Sequence, residues 1–379
     1  MTKTKISNPF LVNNYQGSDY FCDRKIETQT IKDNLYNGNS TTIMAIRRIG
    51  KTGLIQHVLD QLPTEYHGIY VDLLETENMN QLLNILATAI MSQTPQKSKF
   101  GKTIWNFFTS LRPTISFDPL NGLPQASFSI SHEETKTNIG SVFEFLEQQN
   151  QKIVIAIDEF QQILNYPEKN VDAWLRTRIQ HLNNVVFIFS GSQQHLMAEL
   201  FGSPQRPFYR SSQIVQLKKI EQEAYTDFIV DLFSKYKYHV SRDIAEQMLD
   251  WTDRHTYFTQ VLCNRVFARR TRNITSADWK AEASLILKEQ EVLFFSFRNM
   301  LAKNQWKVLK AIAKQGKTYK PTAQAFLKKY KLSSSATVLK AIKALLNAEL
   351  IYKDYDEHGE AFYAVYDLFF RRWSEQKAF

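Results

Sequence analysis

Along the first two-thirds of the chain, short apolar runs alternate with segments in which apolar residues recur at helical spacing. The predicted strands lie at residues 41–46, 68–74, 152–159, 185–192 and 213–217. Helical spacing follows the first of them from residue 54 and the second over 79–92. The runs at 152–159 and 185–192 show no polar alternation, which is typical of strands buried on both faces of a parallel sheet. This alternation predicts a doubly wound α/β domain.

Residues 94–135 interrupt the alternation and are predicted to be an insertion in the α/β domain. Residues 115–118 and 126–131 each alternate between apolar and polar, and turn-forming residues at 120–124 separate them. The pattern predicts a β-hairpin. The next helix is predicted over 141–149, directly after Gly140.

Beyond residue 217 the pattern is helical until a second hairpin pattern near the end. Predicted helices lie at 223–236, 241–252, 257–270, 304–315, 322–330 and 334–348. Residues 350–355 and 361–366 flank a turn at 357–360. Three helices followed by a hairpin predict a winged helix. We therefore expect three domains, over 1–217, 218–290 and 291–379.

The loop after the first predicted strand carries the main chemical signal. Its residues are Ala45, Ile46, Arg47, Arg48, Ile49, Gly50, Lys51 and Thr52, and Gly53 follows them. Apart from Ala45 at the first glycine position, the loop matches the phosphate-binding pattern G-x-x-x-x-G-K-[ST]. In such loops backbone N–H groups hold phosphates, the lysine reaches the β- and γ-phosphates, and the threonine hydroxyl binds Mg²⁺. No guanine-specific Asn-Lys-x-Asp motif occurs, so ATP with Mg²⁺ is the predicted ligand.

Polar residues at the ends of later strands are the candidate catalytic groups, because the carboxyl edge of a parallel sheet binds ligands. Asp158 is predicted to hold Mg²⁺, directly or through water, and Glu159 to act as general base on the attacking water. Ser192 is preferred to Ser190 as the residue that orients this water. Arg210 is a candidate for contacting the γ-phosphate, in cis or from a neighbouring subunit, with a structural ion pair as the alternative.

Positive charge is concentrated in the last quarter of the chain. Residues 291–379 contain 13 lysines and 3 arginines against 5 glutamates and 3 aspartates, and so carry most of the formal net charge of +9. On the helix over 334–348, a face predicted to be buried contains Val338, Leu339, Ile342, Leu345 and Leu346. Thr337, Lys340 and Lys343 project from the opposite side and are candidates for binding duplex DNA. The alternative is that this module packs on the rest of the chain or mediates assembly.

The cysteine and hydropathy patterns indicate in which cellular compartment the protein is expected. Cys22 and Cys263 are the only cysteines, and neither has metal-ligand spacing, so neither a disulfide framework nor a zinc site is expected. No apolar run is long enough to cross a bilayer, and the N-terminus shows no secretory pattern. We expect a cytoplasmic protein with no membrane partner.

Together these motifs resemble those of the archaeal-type AAA-like P-loop ATPases, in the signal-transducing and origin-recognition-like branch. The matching segments are 8–10, 20–24 with Glu27, 47–52, 157–161, 189–192, 207–210 and 366–369. The resemblance implies an ATPase core over 1–217, a helical lid over 218–290 and a terminal winged helix. It also implies that Phe21, Asp23 and Arg24 lie near the purine base.

Two functions stay open on the sequence. The first is an ATP-hydrolysing enzyme that couples nucleotide state to rearrangement of the lid and winged helix, with DNA as a candidate partner. The second is a nucleotide-gated switch or scaffold with slow hydrolysis and protein partners. A homo-oligomer is compatible with both.

Overall fold

The computed structural model describes residues 6–94 and 96–376, which divide into two compact units. The sheet unit is Asn13–Ile220. The helical unit combines the described residues of Met1–Val12 with those of Glu221–Phe379. The predicted domain boundaries after residues 217 and 290 remain predictions.

The sheet unit alternates strands and helices. Its strands are β1 (Thr41–Met44), β2 (Tyr66–Asp72), β3 (Thr114–Phe117), β4 (Pro124–Ser127), β5 (Lys152–Asp158), β6 (Val185–Gly191) and β7 (Gln213–Gln216). Its helices are α1 (Lys25–Tyr36), α2 (Lys51–Asp60), α3 (Met79–Gln93), α4 (Lys99–Ser110), α5 (His132–Glu147), α6 (Val171–Ile179) and α7 (Gln194–Gly202). Short 3-10 segments lie at Ser18–Tyr20 and Phe160–Asn165.

Five of these strands form one parallel sheet in the order β2-β5-β6-β1-β7. Met44 at the end of β1 is in register with Gly191 of β6, and Asp72 of β2 is in register with Asp158 of β5. The carboxyl ends of β1, β2, β5 and β6 therefore lie along the same sheet edge, as predicted from the strand-end chemistry.

Both faces of the sheet are covered, and β5 shows how. Ile153, Ile155 and Ile157 belong to one apolar core, which includes residues of α3, α5, α6 and α7. Val154 and Ala156 point to a second core, formed with α1, α2 and β1. A strand buried on both sides needs apolar residues at every position, and this accounts for its continuous apolar run. The predicted doubly wound α/β fold is confirmed.

Two local predictions for the sheet unit need correction. The hairpin is present as β3 and β4, with Ile115 paired to Ala126, but α4 precedes it and was not predicted. Ser98 caps α4, and Ile104 and Phe108, one helical turn apart, are buried. α5 begins at His132 rather than at residue 141, because Ser131 and Glu134 form a capping box there. Gly140, taken as a boundary, lies inside α5.

The helical unit contains nine helices and one hairpin among its described residues. The helices are α8 (Gln222–Lys235), α9 (Arg242–Trp251), α10 (Thr256–Ala268), α11 (Ser276–Glu289), α12 (Glu291–Met300), α13 (Lys303–Gln315), α14 (Gln324–Lys329), α15 (Ser335–Asn347) and α16 (Leu368–Gln376). The hairpin pairs β8 (Ile351–Tyr355) with β9 (Ala361–Val365). The predicted winged-helix elements are present as α13, α14, α15 and this hairpin.

The N-terminal segment packs on the helical unit through Asn8 and Phe10. The Asn8 amide donates to the carbonyl of Asn264 at 3.0 Å, and the Asn264 amide donates to the carbonyl of Phe10 at 2.8 Å. The ring of Phe10 lies 4.7 Å from that of Phe233. These contacts explain why the segment groups with α8 and α10 although it is distant in sequence.

α16 was not predicted, and it joins the winged helix to the preceding helices. Phe369, Phe370 and Trp373 are buried. The Arg372 guanidinium donates to the carbonyls of Trp251 and Asp250 at 2.8 and 3.0 Å, at the end of α9. The predicted lid and winged-helix segments therefore share one compact unit. In the part of the chain that the structure describes, no helix is both long and apolar enough to span a membrane.

Candidate functional site

The predicted phosphate loop connects β1 to the first residue of α2. Gly50 has φ +106°, which strains any residue with a Cβ, and it directly precedes the helix. Arg48 also has a positive φ, of 58°, whereas Ala45 does not, so alanine fits the first glycine position. The loop therefore presents a helix N-terminus, where backbone N–H groups favour anions.

Lys51 is buried at the start of α2, and only 6% of the residue is exposed. Its ammonium group donates to the carbonyl of Ile46 across the loop at 3.4 Å. Burial lowers the pKa of Lys51, and the nearby carboxylates of Asp158 and Glu159 oppose this effect. A buried lysine with a weak backbone partner is placed to exchange that partner for a phosphate oxygen.

The Asp158 carboxylate lies beside the loop and accepts four hydrogen bonds. Its Oδ2 accepts from the Thr52 hydroxyl at 2.6 Å and the Tyr70 hydroxyl at 3.1 Å. Its Oδ1 accepts from the Ser190 hydroxyl and from the backbone N–H of Glu159. Two carboxylate oxygens offer about four lone-pair sites, so protein donors occupy the whole set.

Tyr70 and Asp72, on alternate positions of β2, were not among the predicted site residues. Burial, reinforced by Asp158, raises the pKa of Tyr70, which keeps its hydroxyl a proton donor. Burial likewise raises the pKa of Asp72, opposed by a hydrogen bond from the backbone of Leu74. The position of β2 beside β5 was the signal that would have identified them, and it depends on the strand order.

Glu159 follows the last residue of β5 and has a left-handed backbone conformation, with φ +54°. Its Oε2 accepts from the Ser192 hydroxyl at 2.7 Å, the Ser192 backbone N–H at 3.2 Å and the Gln161 amide at 2.6 Å. Backbone strain of this kind clusters at functional sites. The structure thus brings Ser192, the predicted water-orienting residue, into direct contact with the predicted general base.

Gln161 is a contact of Glu159 that sequence patterns did not predict. The residue is buried, and its Oε1 has no hydrogen-bond partner within the described residues. A Cβ on Gly191 would lie 1.9 Å from this oxygen and 2.7 Å from Met197 Sδ. Gly191 has no positive φ, so glycine is needed here for space rather than for backbone conformation.

Gly191→Ala is therefore expected to lower the free energy of unfolding by about 1–3 kcal/mol, because the added methyl group must displace both Gln161 and Met197. Thermal and denaturant unfolding measure the change. Gly202→Ala is the matched control, since a Cβ there meets nothing within 4 Å. Equal stability of the two variants would contradict the packing argument.

Phe21 belongs to an aromatic cluster beside α2. Its ring stacks on His57 at 4.1 Å, and the Tyr15 hydroxyl lies 3.0 Å from His57 Nδ1. Burial lowers the pKa of His57 and so favours the neutral ring. The ring of Phe21 also lies close to Gly53, since a Cβ added to this glycine would be 3.5 Å from the ring. Tyr15, Phe21 and His57 thus form an aromatic wall next to the phosphate loop.

The two candidate arginines, Arg24 and Arg210, have different surroundings. The guanidinium group of Arg24 is buried and bonded to Glu27 and to backbone carbonyls. Arg210 is exposed, with its guanidinium carbon 5.2 Å from the centre of the Tyr209 ring. It precedes Gln213, which pairs with the first residue of β1. Arg210 therefore lies at the opposite sheet edge from Lys51.

The candidate DNA-binding residues lie on α15. Lys340 and Lys343 are exposed and Thr337 is half-buried. The predicted core face is correct for Val338, Ile342 and Leu345. It is wrong for Leu339, which is 55% exposed because it lies off the buried stripe of Val338, Ala341, Ile342 and Leu345, and Leu346 is half-buried. A groove of about 520 Å³ beside the start of α15 is lined in part by Lys328 and Lys331.

Comparison with known families identifies the fold. Residues 21–258 match the model of an ATPase domain predominantly from Archaea. The chain belongs to this family. Residues 292–376 match a probable winged helix domain, so the resemblance to archaeal-type AAA-like ATPases with a terminal winged helix is confirmed. No curated protein matches the chain.

Two solved structures show the same fold as this ATPase-family chain. A Walker-type ATPase of Pyrococcus abyssi is 16% identical, with a TM-score of 0.65 over 97% of this chain and 99% of that one. The ORC2 protein of Aeropyrum pernix, solved in ADPNP–ADP complexes, is 12% identical, with a TM-score of 0.58 over 97% and 95% of the two chains.

Proposed function

We propose that the chain binds ATP with Mg²⁺ at the phosphate loop and hydrolyses it. The observation that carries the proposal is a pair of hydrogen bonds at the carboxyl edge of the sheet. Asp158 accepts a hydrogen bond from Thr52 of the loop, and its neighbour Glu159 accepts one from Ser192. Backbone N–H groups and Lys51 would hold the phosphates, and the aromatic wall of Tyr15, Phe21 and His57 would receive the base.

The oxygen donors at this edge fit Mg²⁺. Thr52 and Asp158 supply hydroxyl and carboxylate oxygens, the ligands that Mg²⁺ prefers. Mg²⁺ in ATPases is bound by few protein groups together with substrate phosphates, where it neutralises charge on the β- and γ-oxygens. Protein donors already occupy the lone pairs of the Asp158 carboxylate. Asp158 would therefore hold Mg²⁺ indirectly, through the Thr52 hydroxyl and through water.

Glu159 would accept the proton of the attacking water, and Ser192 would orient both this water and the Glu159 carboxylate. Arg210 would act on the γ-phosphate of a neighbouring copy, because it lies at the sheet edge opposite to the phosphate loop of its own chain. A homo-oligomer is then required for full activity. Phosphate release from ATP, measured over a protein concentration series, tests this: turnover per chain should rise with concentration, and concentration-independent turnover counts against a role in trans.

A nucleotide-gated switch with slow hydrolysis is the second candidate. It is favoured by the three donors on Glu159 Oε2, which must rearrange if this oxygen is to take a proton. In either case nucleotide state would be coupled to rearrangement of the helical unit. Steady-state phosphate release separates the two candidates, since binding without measurable turnover supports the switch.

Duplex DNA is a proposed partner of the winged helix in the helical unit. Lys340→Glu combined with Lys343→Glu should weaken DNA binding and reduce the slope of log affinity against log salt by about 2, because two phosphate contacts are lost. Fluorescence anisotropy across a salt series measures both quantities. The control is Lys280→Glu combined with Lys288→Glu, which makes the same charge change at exposed positions on α11 and should leave DNA binding nearly unchanged. Equal weakening by both pairs, or no binding at low salt, would exclude this role.

A further inference from the structure

Arg24 is a buried arginine beneath the phosphate loop. It is 4% exposed and directly precedes α1. Both Asp23 and Arg24 have left-handed backbone conformations, with φ of 55° and 62°. Such conformations are uncommon outside glycine and costly, and two in succession set the direction in which the Arg24 side chain leaves the backbone.

The guanidinium group of Arg24 joins three separate parts of the sheet unit. Its Nη1 donates to the carboxylate of Glu27 at 2.9 Å and to the carbonyl of Lys218 at 2.6 Å. Its Nη2 donates to the carbonyl of Ile49 at 3.4 Å, the longest of the three contacts. A planar guanidinium can span two carbonyls in this way, whereas a lysine ammonium is a single point of attachment.

The contact with Ile49 bears on the phosphate cradle itself. The carbonyl of Ile49 and the N–H of Gly50 belong to one planar trans peptide, so they point in opposite directions. Holding the carbonyl on Arg24 therefore fixes the direction of the Gly50 N–H, one of the groups that a phosphate loop presents to its anion. The residues on either side, Arg48 and Gly50, both have positive φ.

The contact with Lys218 lies on the segment by which the chain leaves the sheet unit. Residues 217–220 have no regular secondary structure, and the helical unit resumes at Glu221. The backbone N–H of Leu217 donates to the carbonyl of Met44 at 2.9 Å, at the end of β1. Arg24 thus connects the peptide of the phosphate loop with the exit segment.

We infer that Arg24 is a positioning residue that couples phosphate binding in the loop to the order of residues 217–220, and so transmits nucleotide state toward the helical unit. This rests on the proposed nucleotide-binding function. A phosphate that fixes the Ile49–Gly50 peptide strengthens the anchor on Arg24, and the anchored guanidinium holds the Lys218 carbonyl. Coupling is reciprocal, so order in the exit segment likewise favours the binding-competent loop.

Trypsin tests this directly, because it cleaves after lysine by attacking the carbonyl that Arg24 holds. Cleavage after Lys218 in the full chain, followed by mass spectrometry, should be slowed about tenfold in the wild type by a saturating non-hydrolysable ATP analogue. In Arg24→Lys the same analogue should slow it less than about twofold, since the shorter lysine side chain with its single nitrogen does not reproduce the planar fork that spans the two carbonyls. Binding of a fluorescent ATP analogue, measured in parallel, shows that the site is occupied.

Arg178→Lys makes the same substitution at an exposed arginine of α6, which pairs with Glu144, and this control should keep the wild-type protection. If Arg24→Lys does not fold, Glu27→Gln keeps the arginine but removes its ion partner and should give intermediate protection. Protection of Arg24→Lys or Glu27→Gln equal to wild type, with the analogue bound, overturns the inference alone. A wild type that binds no analogue overturns the proposed function and the inference together.

Discussion

Lys51→Ala is expected to abolish ATP binding at micromolar concentrations, with a loss of affinity of about 100-fold or more. The buried ammonium group already points across the loop, onto the carbonyl of Ile46. Removing one partner of a buried, hydrogen-bonded charge pair costs about 2–5 kcal/mol, and 1.4 kcal/mol is a factor of ten in affinity. Alanine keeps the helix start intact, so the loss should come from the missing charge.

Isothermal titration with ATP and Mg²⁺ measures this effect. Lys169→Ala, an exposed lysine of the same unit, is the control for loss of a positive charge and should bind as the wild type does. Thermal unfolding without nucleotide should show both variants folded. Unchanged ATP affinity in Lys51→Ala would refute the assignment of the phosphate loop.

Glu159→Gln is expected to lower kcat for ATP hydrolysis by about 100- to 1000-fold with little change in ATP affinity. General-base groups contribute factors of this size, and an amide cannot take the proton of the attacking water. The amide oxygen can still accept from Ser192 and Gln161, so the surrounding contacts should survive. The loss should then appear in kcat, as expected for an interaction made in the transition state.

Single-turnover phosphate release separates this chemical step from product release. Glu147→Gln on α5 makes the same substitution outside the site, at a carboxylate that accepts from the backbone of Asn183 and Asn184. Its turnover should match the wild type. Turnover of Glu159→Gln that matches the wild type would remove Glu159 from the mechanism and favour the switch over the enzyme.

Local pattern was sufficient where one segment determines its own structure. The loop from Ala45 to Thr52 was placed correctly between a strand and a helix, because Gly50, a β-branched strand and helical spacing are all local signals. The same holds for Asp158 at the end of a fully apolar strand. Local pattern failed at Gly140, where burial within α5 outweighs the low helix propensity of glycine. It also failed at α4 and α16, because these helices are stabilised by packing of their buried faces on other elements.

By itself, the sequence determined the α/β class, the phosphate loop, the acidic pair at 158–159 and the basic winged helix, because each depends on residue types and spacing within one segment. Only the tertiary structure decided which distant side chains meet there. Tyr70 reaches Asp158, Gln161 packs on Gly191, and Arg24 bridges Ile49 and Lys218. Those contacts follow from strand order, register and the path of the chain between elements, and periodicity along a single segment contains no information about its neighbours.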